Sequence, residues 1–86
     1  MFTVAWTNRA LDKLADLYVG MDLSAQDRLA ARIDALNHRL AQDPLDEGES
    51  RTGSYRVTFV EDLTIRFTVD QDDRVARVYD VRRRGH

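Results

Sequence analysis

Apolar positions along this chain repeat first at period two, then at the helical period, then at period two again. Phe2, Val4 and Trp6 fall on one side and Thr3 and Ala5 on the other, which predicts a short strand. Thr7 or Asn8 can then cap a helix running to about Val19, with Leu11, Leu14, Ala15 and Tyr18 as its apolar stripe and Gly20 as its stop. Ser24 begins a second predicted helix, with Asp27 as capping-box partner and Leu29, Ile33, Leu36 and Leu40 as its stripe. Neither helix can bury its stripe alone, so the two are expected to form an antiparallel hairpin across residues 20–23. Asp43-Pro44 ends the second helix, and an acidic loop follows through Ser50.

The remainder reads as strands. Tyr55, Val57 and Phe59 alternate with Arg56, Thr58 and Val60, and Ile65, Phe67 and Val69 alternate with Thr64, Arg66 and Thr68. The clusters Glu61-Asp62 and Asp70 to Asp73 mark turns, and a last strand over about 74–81 alternates less cleanly, as a β-bulge would make it. The expected architecture is α+β, in the order β-α-α-β-β-β: a two-helix hairpin packed on a small, mainly antiparallel sheet. One sheet face is dry and takes Tyr55, Phe59 and Phe67 with Trp6 and Tyr18. The other carries Arg56 and Arg66 together.

Composition narrows this picture. The 86 residues suffice for one hydrophobic core and hence one domain, 1–86. There is no Cys, which removes disulfides and thiolate metal sites and fits a cytoplasmic setting. No apolar run reaches membrane-spanning length, and no metal-binding, Gly-rich phosphate-loop or nucleophile-elbow spacing occurs, so no cofactor is expected. The net charge of -2 is unevenly spread: residues 74–86 hold five Arg against Asp80 alone, a balance of +4, and the preceding residues balance at -6. The run Arg82-Arg83-Arg84 is therefore a local anion-binding edge on an acidic protein. His38 lies off the second helix's stripe, on its surface.

The order of elements resembles the RelE/ParE superfamily of bacterial toxins. The resemblance rests on Val4-Ala5-Trp6-Thr7 with Ala10-Leu11 and Leu14, on Leu40-Ala41-Gln42-Asp43-Pro44, on Gly48-Glu49-Ser50-Arg51, on Ile65-Arg66-Phe67-Thr68-Val69, and on the closing Val81-Arg82-Arg83-Arg84. It implies a toxin neutralised by a cognate antitoxin, acting as a ribosome-dependent messenger-RNA endonuclease. The alternatives are a non-enzymatic DNA gyrase inhibitor or a degenerate member that only binds protein. In the endonuclease branch, Arg56 and Arg84 fall where basic residues grip RNA. The third-strand arginine of that branch aligns with Thr64, with Arg66 two residues along, and Gly85 and His86 follow Arg84 in place of a tyrosine. Cleavage through a ribose 2′-OH needs a proton acceptor, which arginine cannot supply, and His86 is the chemically suitable group, with Glu49 or Asp80 behind it. Catalytic candidates are thus Arg56, Arg66, Arg84 and His86; candidates for RNA or antitoxin contact are Arg51, Arg77, Arg82 and Arg83. Uncovered strand edges are compatible with a homodimer, or a heterotetramer with the antitoxin.

Overall fold

A computed structural model describes residues 1–84. Strand β1 (Thr3–Trp6) leads into helix α1 (Asn8–Val19), and helix α2 (Leu23–Gln42) follows a three-residue turn. A single 3-10 turn, Pro44–Asp46, then precedes β2 (Glu49–Ser50), β3 (Tyr55–Val60), β4 (Leu63–Asp70) and β5 (Val75–Arg83). The five strands form one sheet in the order β1-β5-β4-β3-β2, parallel between β1 and β5 and antiparallel elsewhere. The predicted α+β class holds, with one strand added: the acidic loop supplies β2, a two-residue edge beside β3.

The helix caps settle local choices. Thr7 Oγ1 accepts the N–H of Ala10 at 3.1 Å and caps α1. For α2 the cap is Asp22, whose Oδ1 accepts from Ala25 N at 2.8 Å, so the helix starts before Ser24 and the Ser24/Asp27 capping box does not form. The stripe Leu29, Ile33, Leu36, Leu40 is buried as predicted. On α1 the buried residues are Ala10 and Leu14, and Leu11 and Ala15 are exposed. That helix is rotated because it packs along β5 and must aim Lys13 at that strand.

A two-residue hairpin sets the phase of the sheet. Val60 pairs with Leu63 around Glu61-Asp62, and β4 alternates cleanly, with Leu63, Ile65, Phe67 and Val69 in one core cluster with both helices. Thr58 and Arg56 pair with Ile65 and Phe67, so they lie on the helix-side face. Tyr55, Val57 and Phe59 pair with Thr68, Arg66 and Thr64 on the open face, which corrects the expectation that Tyr55 and Phe59 join the core. Their exposures are 51% and 44%.

The predicted bulge falls at Tyr79. Phe67 pairs with Val78 and Arg66 with Asp80, leaving Tyr79 as the extra residue. Strict alternation from Val78 would have turned Asp80 and Arg82 into the core and Val81 out of it. The inserted residue reverses that phase: Val81 is buried against Ile65, and Asp80 and Arg82 stand on the open face opposite Arg66 and Thr64. Trp6 lies against the core and ties β1 to α2 by donating from Nε1 to Asn37 Oδ1 at 2.9 Å. No helix is long and apolar enough to cross a membrane among the described residues.

Candidate functional site

The chemistry of the open face centres on Asp80, a buried carboxylate 5% exposed. Lys13 Nζ on α1 lies 2.6 Å from its Oδ1, Arg82 Nε donates to Oδ2 at 2.8 Å, and Arg66 Nε stands 4.0 Å from Oδ2. Burial works against the charge of Asp80, but hydrogen bonds from Lys13 and Arg82, reinforced by their positive charge, outweigh it. They hold its carboxyl below the ordinary value of 3.8. The group is an ionised anchor that positions cations.

Further along the same face, the Arg84 guanidinium lies 4.5 Å from the centroid of the Phe59 ring, and the Tyr55 and Tyr79 rings meet edge to face with centroids 5.7 Å apart. The face therefore carries exposed aromatic rings interleaved with arginines. Cationic and apolar contacts are thereby offered side by side.

The predicted site residues separate accordingly. Arg66, Arg82 and Arg84 share the open face, and Arg77 stands on it opposite Thr68, beside Asp70 and Asp72. Arg56 does not join Arg66. It points to the helix side, where its Nε donates to the Glu47 carbonyl oxygen at 3.2 Å. The basic run also divides: Arg83, between Arg82 and Arg84, lies 3.5 Å from Asp62 and borders a hollow at the start of α2. Arg51 pairs with Glu49 at 3.1 Å on the β2 edge. His86 lies outside the described residues.

Sequence reasoning missed Arg9 and Lys13, which α1 brings beside Arg66 and Arg82. Lys13 is the only lysine in the chain, and a lone ammonium one turn from the apolar stripe was a usable signal. It also missed Glu47. This acid accepts from Thr58 Oγ1 at 2.6 Å and from Arg39 Nε at 2.8 Å. Burial opposes its charge, while the Arg39 and Thr58 hydrogen bonds and the charges of Arg39 and Arg56 hold its carboxyl below 4.5. Arg56 thus serves a structural knot beneath the sheet. No cluster of His, Cys, Asp and Glu able to hold a metal ion occurs among the described residues.

A strand, a helix pair and a mixed sheet with its final strand between the first and the hairpin define the RelE/ParE toxin fold, and solved structures of that class superpose on this chain. The chromosomal ParDE toxin-antitoxin system of P. aeruginosa contains a chain that matches with a TM-score of 0.70 at 21% identity, over 98% of this chain and 97% of that one. The isolated RelE toxin of E. coli matches at 0.68 and 12% identity, over 100% and 87%. A chain of the RelBE2 toxin-antitoxin complex of Mycobacterium tuberculosis matches at 0.70 and 16%, over 99% and 93%. The family model for the ParE toxin of the type II toxin-antitoxin system parDE matches residues 4–86, and this chain belongs to that family. A sequence comparison with curated proteins gives no match.

Proposed function

We propose that this protein is the toxin of a type II toxin-antitoxin pair, held inactive by a cognate antitoxin, and that it acts by binding DNA gyrase and not by cutting RNA. Membership of the ParE family supports the toxin role. The observation that favours binding over cleavage is the division of the arginines. Arg56 is committed to Glu47 on one face while Arg66, Arg82 and Arg84 line the other, so the two strand arginines expected to share one face are kept apart by the sheet. The acid placed among the open-face arginines, Asp80, has its oxygens taken by Lys13 and Arg82 and a lowered proton affinity, which makes it a weak proton acceptor.

An antitoxin segment fits the same surface. Acidic side chains would meet the open-face arginines while apolar ones cover Tyr55 and Phe59. Co-expression with the product of the neighbouring reading frame should give a complex that survives purification, and failure to form one counts against the toxin role.

The target is tested with the purified chain in two assays. Gyrase supercoiling should be inhibited while messenger RNA in a purified translation system stays intact. Codon-associated cleavage on ribosomes, lost in Arg84→Ala, would instead establish the endonuclease reading. Inactivity in both assays, with no growth arrest on induction, would mark a degenerate member that retains only protein binding.

A further inference from the structure

The cluster around Asp80 carries more positive charge than the fold uses. Arg9, Arg66, Tyr79, Asp80 and Arg82 line a hollow of about 340 Å³ at the seam between α1 and the open sheet face, and Lys13 enters the cluster through Asp80. Four cations share this cluster with one carboxylate, three of them within 4.0 Å of it. Lys13 and Arg82 occupy its oxygens at 2.6 and 2.8 Å. Arg66 stays at 4.0 Å, beyond hydrogen-bond reach, and Arg9 makes no ion pair among the described residues. Two guanidinium groups with spare N–H donors therefore border one open hollow, one delivered by a helix and one by a strand.

We propose that this hollow binds a phosphate dianion, either free or as the terminal phosphate of a small molecule. The surplus charge is the first reason: after Asp80 is counted the cluster carries three positive charges, and a single carboxylate would leave most of that uncompensated. Geometry is the second. Guanidinium forks donate pairs of parallel N–H bonds, and a phosphate's terminal oxygens accept from two forks at once, which a two-oxygen carboxylate does less well. Asp80 has a preparatory role, because it fixes Lys13 and Arg82 before any ligand arrives and lowers the ordering cost of binding. Tyr79 closes one side, its ring braced edge to face by Tyr55, and supplies an aromatic wall for whatever the phosphate carries. The site is independent of whether gyrase is the toxin's target.

The test titrates the 86-residue chain with inorganic phosphate, a nucleoside 5′-monophosphate and acetate at constant ionic strength, followed by calorimetry. Both phosphates should bind saturably and more tightly than acetate. Tighter binding of the nucleotide identifies a phosphate carried on a larger molecule, and equal binding identifies free phosphate. Arg66→Gln and Arg9→Gln should each weaken phosphate roughly tenfold, the loss expected of one charge-assisted contact, and Arg28→Gln, on the exposed side of α2, should leave it unchanged. Affinity for the monoester should rise as pH passes its second ionisation at about 6. Arg9 lies on the exposed side of α1, so its variant keeps the fold even if the Arg66 change disturbs the sheet. Equal affinity in wild type and both variants, or acetate binding as tightly as phosphate, would overturn the assignment.

Discussion

Lys13 Nζ lies 2.6 Å from Asp80 Oδ1, joining the first helix to the last strand across 67 positions of sequence. The carboxylate is buried, and its ammonium partner is one-third exposed. Asp80→Asn leaves Lys13, Arg82 and Arg66 facing one another without their counter-charge and should cost about 2 kcal/mol, in the range of a charged hydrogen-bonded contact. Lys13→Met should cost less, because Arg82 still neutralises the acid. Chemical denaturation of the three proteins at neutral pH measures both differences.

Acid should separate the same proteins. A carboxyl lowered in the folded state contributes stability that is present above its unfolded value, near 3.8 for Asp80, and is lost as pH falls through the folded value. Glu47 adds a second contribution of the same sign. Melting temperatures of the wild type should therefore begin to drop as pH falls below about 4, where the two groups protonate in the unfolded chain before they do in the fold. The curve for Asp80→Asn should be shallower, with the two proteins converging at low pH.

Arg56 and Arg66 should behave as residues of different machines. Arg56→Ala removes a contact to the Glu47 loop and should lower stability by about 1 kcal/mol while leaving phosphate affinity unchanged. Arg66→Ala should do the reverse. Because the sheet separates them, the double variant should show additive effects on stability, within about 0.5 kcal/mol.

Gly48 has φ +64°, and a Cβ there would collide with the Val57 carbonyl oxygen and lie 2.8 Å from Thr58 Cβ. Gly48→Ala should destabilise by at least about 1–3 kcal/mol from backbone strain alone, with the collision adding to it. It should also loosen the knot in which Thr58 holds Glu47, seen as faster hydrogen exchange over residues 47–58.

Glu61 holds φ +54° at the β3–β4 hairpin and reaches α2 through Arg28 at 3.1 Å and Arg32 at 3.9 Å. Both replacements at this position lose the ion pairs, but only glycine relieves the backbone. Glu61→Gly should therefore be more stable than Glu61→Ala by about 1 kcal/mol in thermal or urea unfolding. Equal stability would show that the left-handed conformation there carries no strain.

What the sequence made legible follows from how strictly each segment alternates. The α2 stripe repeats over four positions and β4 alternates without exception, and both were read correctly, as was the irregularity in β5. Strand β3 has apolar groups on both sides, Val57 and Val60 among them, so its own pattern cannot choose a phase. Its alternation of Tyr55, Val57 and Phe59 with Arg56 and Thr58 points Tyr55 and Phe59 to the core, the wrong phase. The information lay next door: counting back from Leu63 across the two residues Glu61-Asp62 places Val60, Thr58 and Arg56 on the core side. The division of the candidate arginines comes from that count. Arg9 and Lys13 were hidden for another reason, since they sit on a helix whose neighbours come from distant strands, Asp80 lying 67 positions from Lys13.

Strand β1 finds its sheet partner only in β5, with Thr3 opposite Val75, and β5 lies between β1 and β4. During synthesis the opening strand and the first helix therefore emerge before the strand they pack against, and the core cannot close until β5 is made. A sheet so wired makes the last strand its keystone: β5 is the piece that joins the opening strand to the β3–β4 hairpin.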